Sequence, residues 1–363
     1  MAVAGGAAGG APAAPLTPLT TRRTSWFRRV VDGVRSAEEG TWRVAGRIAV
    51  LLPLVALIFA LTVLLIKGIP AIRVNGWKFL TGTEWTYGSS YGATVHTDGV
   101  AHPEGASFGA LAIIVGTLQS SAIALIIAVP ISIGAAFALT ERMPTWISRP
   151  LGFAVEVLAG IPSVVIGLWG LLTFGPILAR DVYPIIADHM PDVPILRYFR
   201  NPVGSGEGLL TAGLVLGLMI IPIIASTTRD LFEQVPPLPK EGATALGMTE
   251  WEVAHKITVP WVRSGIIGAS VLGLGRALGE TVAVAMLSGS IIHFAPNIYG
   301  TMTTIAATIL TQLDGAQSDG TGFAVATLAE LALVLAVISV AVNLAARGII
   351  RRTSALGPSV GPN

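Results

Sequence analysis

Six stretches of the chain stay apolar for the roughly 20 residues that a helix needs to cross the hydrocarbon of a bilayer. They fall at 47–66, 109–139, 152–178, 209–226, 264–291 and 324–346. Between them the chain turns polar, charged, or rich in proline and glycine. The pattern predicts an all-α polytopic membrane protein with six transmembrane helices. Pro130, Pro162 and Pro222 punctuate the spans, and Gly275 and Gly279 form a small-xxx-small arrangement in the fifth. Small residues at that spacing let helices approach closely, which suits a tightly packed bundle.

The fifth span departs from the pattern. It reads Leu272-Gly273-Leu274-Gly275-Arg276-Ala277-Leu278-Gly279-Glu280-Thr281, with apolar flanks from Ile266 to Leu274 and from Val282 to Leu287. An arginine at membrane depth costs roughly 3 kcal/mol or more. The i, i+4 spacing predicts that Arg276 and Glu280 share a helix face and partly neutralise each other. Two readings stand side by side: a substrate or ion pathway, and a structural salt bridge between helices.

Charge outside the spans sets an orientation. Sixteen Lys and Arg residues lie on the side that holds both termini and the second and fourth loops, against six on the other side. The positive-inside rule therefore places both termini in the cytoplasm. This gives a cytoplasmic tail at 1–46, an extracytoplasmic loop at 67–108 and a cytoplasmic tail at 347–363. The first 20 residues lack the basic-then-apolar order of a signal peptide and read as a disordered tail. From Thr24 to Glu39 apolar residues (Trp26, Phe27, Val30, Val31, Val34) recur at helical spacing among arginines. That segment reads as a helix on the membrane surface or as a solvated linker helix. The outward loops at 67–108 and 179–208 read as docking surfaces for an extracytoplasmic partner or as caps on the bundle. Only 12% of residues are charged, about half of what a soluble domain carries. Cysteine is absent, which excludes disulfides and thiolate metal sites.

The loop between spans four and five, about 236–260, is patterned as helix, turn, helix. Its prolines (Pro236, Pro237, Pro239) stop any helix entering from span four. A short helix is expected from near Lys240 to Gly247, a C-terminal capping glycine. Thr249 and Glu252 predict a capping box for the next helix, and Pro260 is expected to end it. The loop should project as a rigid knuckle. Its spacing resembles the EAA loop of ABC importer permeases, with Glu241, Ala243, Gly247, Ile257 and Pro260 in register, Gly242 in place of the second motif residue and Val259 in place of a leucine. In that family the loop docks into a cytoplasmic ATPase. None of the four lysines is followed by Ser or Thr, as a phosphate-binding P-loop requires, so the energy source is expected in another subunit.

Three further segments narrow the resemblance: Ala159-Gly160-Ile161-Pro162-Ser163-Val164-Val165, Thr228-Arg229-Asp230, and the Arg276–Thr281 string. Over roughly 109–346 the chain resembles the PstC-type permease family of bacterial phosphate importers. The resemblance implies a type I ABC importer permease (MetI-like) fold in the bacterial cell membrane, surrounded by lipid. It implies a PstA-like permease partner, a PstB-like ATPase dimer holding ATP and Mg, and a PstS-like extracytoplasmic phosphate-binding protein. No cofactor in this chain, no catalytic residue, no metal and no nucleic-acid partner are implied. Arg276, Glu280, Thr281 and Ser163 are the implied substrate-pathway residues; Glu241, Gly242, Ala243, Gly247, Ile257 and Pro260 are the implied ATPase-coupling residues. Arginine offers an oxyanion a planar fork of donors. Phosphate near neutral pH still carries a proton to donate, whereas sulfate does not, so Glu280 is read as a selective acceptor or as a neutraliser of Arg276. Glu156 is expected to be solvated or paired with Arg149, and Glu330 to face Arg276 or a vestibule. A permease for sulfate or molybdate and an ion-coupled carrier are the alternatives; the Arg276–Thr281 string argues against the first and the EAA loop against the second.

Overall fold

The computed structural model describes residues 24–89, 93–191, 193, 196–202 and 205–354, with side chains from 46 to 351. The proposed N-terminal tail therefore lies largely outside the described residues, as do the side chains of the proposed interfacial helix. The chain divides into two compact units between Thr62 and Val63. In the first unit, the described side chains of helix α1 (Thr24–Asn75) are exposed and apolar from Ile48 to Phe59. A helix surface of that kind is soluble only in lipid or against a partner.

The second unit starts with the last turns of α1. The helix outlasts its expected end at 66 because its far end is packed. Ala71 is fully buried, and a Cβ on Gly68 would lie 3.3 Å from the Glu330 backbone nitrogen. The loop that follows is not irregular. Strand β1 (Trp85–Thr86) pairs antiparallel with β4 (Ser107–Phe108), and β2 (Thr94–Thr97) with β3 (Val100–Pro103). Asp98 and Gly99 turn the second hairpin with φ of 52° and 77°, the pair of positive φ values that matches strand twist. Phe108 stacks edge-on with Trp85 and Tyr87 and lies against Phe323, so the loop is pinned to the last helix.

Besides short turns at Lys78–Thr81 and Leu196–Phe199, the helices that follow among the described residues are α2 (Leu111–Arg142), α3 (Thr145–Ala159), α4 (Ser163–His189), α5 (Leu209–Glu233), α6 (Pro237–Ala245), α7 (Glu250–Gly279), α8 (Val282–Leu287), α9 (Ile305–Gln317) and α10 (Phe323–Ser354). Among the described residues, six helices are long and apolar enough to cross a membrane: the end of α1, α2, α4, α5, α7 and α10. The number of spans agrees with the apolar pattern; several boundaries do not. The expected third span, 152–178, is broken at Gly160–Pro162, because a proline cannot accept the helix of the preceding residues. What remains is a separate α3 and a span running on to His189. The expected fifth span, 264–291, ends at Gly279 and restarts at Val282. Helix α9 lies inside what read as a loop; the Thr304 hydroxyl caps it by accepting the Ala307 N–H at 3.3 Å.

Helix α5 is central, with 67% of its apolar window buried against 28–33% for α2, α4, α7 and α10. Its small residues let α2 come close: a Cβ on Gly213 would sit 2.7 Å from Ile123, and one on Gly217 would sit 3.3 Å from the Ala124 carbonyl. Ala124, Ala128, Leu216, Ile220 and Ile224 fill that seam, with Ala269 and Ala277 of α7 against them. Among the described residues, four π turns interrupt or end helices, at Ala138–Arg142, Gly170–Phe174, Leu178–Val182 and Ala254–Thr258.

Candidate functional site

Two chain breaks lie side by side. A Cβ on Gly167 would stand 2.8 Å from the Ala283 Cα, and one on Gly170 would stand 3.0 Å from Leu287. Helix α4 and helix α8 therefore run together in the same direction from their first turns. That puts Ser163, which opens α4 after Pro162, level with Glu280 and Thr281, which precede α8. Glu280 is extended (φ −70°, ψ 124°) and buried. Its Oε1 lies 3.5 Å from the Ala283 N–H, a long contact, and its carboxylate has no other partner among the described residues. The Thr281 hydroxyl donates to the Gly279 carbonyl at 3.1 Å.

Arg276 belongs to a different surface. It is exposed on α7 in a stripe with Gly268, Leu272, Gly275 and Gly279, and a Cβ on any of those three glycines would meet nothing within 4 Å. No ion pair holds it among the described residues. The expected i, i+4 pairing with Glu280 is thus corrected: the helix stops at Gly279, so the carboxylate turns into the protein while the guanidinium stays on the open face. The arrangement offers a charged fork of donors on an open apolar face and, one residue past the helix end, a buried acceptor.

The loop between α5 and α7 is built largely as its sequence implies. Helix α6 begins at Pro237, three residues before the expected start, because prolines suit a first helical turn whose N–H groups are unpaired. Gly247 adopts φ 84°; its N–H donates to the Thr244 carbonyl and that of Met248 to the Ala243 carbonyl, a Schellman closure. The capping box is present: the Thr249 N–H donates to Glu252 Oε2 at 3.0 Å and the Glu252 N–H to Thr249 Oγ1 at 3.3 Å. Pro260 does not end the second helix. It sits in the first turn after the π turn at Ala254–Thr258, where a missing N–H is tolerated, and α7 continues through it. Glu241 and Gly242 are exposed, Ala243 is buried and Ile257 is half-buried. Leu238, Leu246 and Trp251 present bare apolar surface on the knuckle, Leu246 at 83% exposure.

Two other charges fall elsewhere than expected. Glu156 meets Arg229, at 3.7 Å, rather than Arg149; Arg229 also binds Glu233 at 3.1 Å. Glu330 is buried and accepts a hydrogen bond from Asn75 Nδ2 at 2.9 Å, not from Arg276. Asn75 carried no signal in the sequence, because a lone asparagine after a predicted span reads as loop.

A family model described as "Binding-protein-dependent transport system inner membrane component" matches residues 128–355. The chain is 59% identical over 317 residues to "Phosphate transport system permease protein PstC 1" of Mycobacterium tuberculosis, covering 87% of this chain and 94% of that protein. It is 40% identical over 297 residues to "Phosphate transport system permease protein PstC" of Haemophilus influenzae, covering 82% and 88%. A chain of the inward-facing MetNI methionine ABC transporter aligns with a TM-score of 0.47 at 17% identity, over 68% of this chain and 94% of that one.

Proposed function

The chain belongs to the family of binding-protein-dependent transport system inner membrane components, within its PstC group of permeases, and from that premise we propose that it is the transmembrane subunit of an ATP-driven importer of inorganic phosphate. As a multi-pass membrane protein it supplies half of the translocation path and no ATPase of its own. The observation that carries the reading is Arg276, a guanidinium on an open, otherwise apolar helix face beside two helix breaks. A PstA-like permease covers that face, so the arginine lines the seam where an anion passes. Backbone freed from helical pairing at depth is tolerated where it is buried in protein or lines a cavity. The breaks at Ser163 and Thr281 meet that condition against each other, on a different surface from Arg276.

In this reading Arg276 binds phosphate oxygens through its fork. Farther along the path than Arg276, Glu280, turned inward at the break in α7, accepts the proton that phosphate still carries. Sulfate would leave that acceptor unpaired, at a cost of about 1–3 kcal/mol, or about 5- to 150-fold in selection. The knuckle around Gly247 docks a PstB-like ATPase dimer, which holds ATP and Mg and lies on the cytoplasmic side with both termini. A PstS-like binding protein delivers phosphate on the opposite face. The relatives' names favour phosphate over sulfate or molybdate, and an ion-driven carrier has no use for a capped loop with apolar residues exposed on its knuckle.

The test is labelled phosphate uptake in cells whose only copy of this subunit carries Arg276→Gln, with co-purification of the ATPase measured in parallel. Uptake is expected to collapse while the complex assembles; normal uptake would remove Arg276 from the path. Glu280→Gln in the same assay should lower the preference for phosphate over sulfate, and an unchanged ratio refutes the acceptor role.

A further inference from the structure

We propose that Glu141 and Arg142, at the inner end of the second span, are positioning residues that grip both helices of the coupling loop and pass its movement to α2; this rests on the importer reading above. The π turn at Ala138–Arg142 ends α2 and places these adjacent side chains on different partners. Glu141 pairs with Lys240 of α6. Arg142 Nε lies 3.1 Å from Glu250 Oε2, on the first residue of α7. One turn earlier, the Phe137 ring meets Trp251 edge-on, with centroids 5.9 Å apart. Phe137 also packs into the apolar cluster of Phe232, Val235, Val262 and Ile266, which ties the ends of α2, α5 and α7 together. The end of the second span thus touches each helix of the loop, and the loop's second helix is continuous with span five.

The charges suit a register device better than a source of stability. The Arg142–Glu250 pair is more than half exposed on both sides, and pairs of that kind are worth about 0–1 kcal/mol. The Glu141–Lys240 pair is more sheltered, at 24% and 20% exposure. Next to Lys240 stands Glu241. Each residue advances a helix by about 100°. A one-residue slip or roll of α6 would therefore set Glu241 against Glu141, carboxylate to carboxylate. The clamp accepts one register of the loop and repels its neighbour. An ATPase that moves the knuckle then moves α2 with it, and α2 packs along the central α5.

The experiment uses the assembled complex in proteoliposomes with Glu141→Lys, Lys240→Glu and the double exchange. Each single reversal should lower phosphate taken up per ATP hydrolysed by about fivefold or more, an ordinary size for coupling between sites. The ATPase should still co-purify and hydrolyse. The double exchange should recover most of the loss. A spin label at Thr244→Cys on α6, in a chain with no other cysteine, gives a second readout independent of the substrate. It should loosen in both single variants and tighten again in the double. Unchanged label spectra in both single variants, or losses that the exchange does not recover, overturn the clamp. A wild-type complex that hydrolyses ATP without taking up phosphate overturns the phosphate reading alone, while the label still decides the clamp.

Discussion

The closest helix approach near the two breaks offers a direct test by a single methyl group. In Gly167→Ala the new Cβ would lie 2.8 Å from the Ala283 Cα, 3.2 Å from its Cβ and 3.3 Å from Met286 Sδ. Carbon atoms in ordinary contact sit about 3.5–4.0 Å apart. Met286 can swing away, but the Ala283 backbone cannot, so α4 and α8 must separate by about 0.7–1.2 Å at this level. Overpacking of that size costs about 1–3 kcal/mol. The displacement falls one turn from Ser163 and three residues from Glu280. In enzymes, a misplacement of about 1 Å costs about a hundredfold, and we expect a loss of at least about tenfold in phosphate uptake here. The assay is labelled uptake together with a thermal melt of the detergent-solubilised complex. Gly315→Ala is the control, because its Cβ would meet nothing within 4 Å. It should leave uptake intact and gain up to about 1 kcal/mol of helix propensity. If Gly167→Ala melts and transports like the wild type, the two helices do not touch as described, and the argument that levels Ser163 with Glu280 fails.

Thr249→Ala removes the reciprocal cap at the start of α7, worth about 1 kcal/mol; amide exchange at Trp251–Val253 should quicken by about fivefold, and unchanged exchange would mean that the cap is idle. Orientation is open to labelling, since the chain contains no cysteine of its own. With a membrane-impermeant maleimide on intact cells, Thr97→Cys on the β2–β3 hairpin should react and Thr244→Cys on α6 should not; the reverse pattern would invert the orientation proposed from the charge bias.

Much of the architecture is legible in the sequence alone. Spans of 20 apolar residues, Gly247 and the Thr249–Glu252 box each have a local physical cause, and each appears where its cause lies. The boundaries were less legible, because hydropathy measures polarity and not backbone pairing. The break at residues 160–162 leaves the apolar pattern nearly unmarked, with Pro162 its local clue, and the polarity of Glu280 and Thr281 reads as chemistry inside a continuous span rather than as the end of a helix. Glu280 read as a partner of Arg276 because sequence spacing assumes an unbroken helix. The partner of Glu330 was invisible for another reason: Asn75 lies 255 residues away, and the pair exists only through tertiary packing. The clamp at Glu141 and Arg142 was likewise unreadable, as a Glu-Arg pair between two spans looks like any solvated loop.

The π turn at Ala254–Thr258 carries one residue more than an α-helical turn would need, and it stands between the docking knuckle and span five. A chain shortened by that one residue would keep every hydrophobic span, every cap and the whole proposed path. It would nevertheless rotate the knuckle by about 100° about the axis of α7. In the proposed importer the distance from Gly247 to Pro260 therefore acts as a phase setting between motor and channel, and length variation among related chains should be absent there even where identity is not.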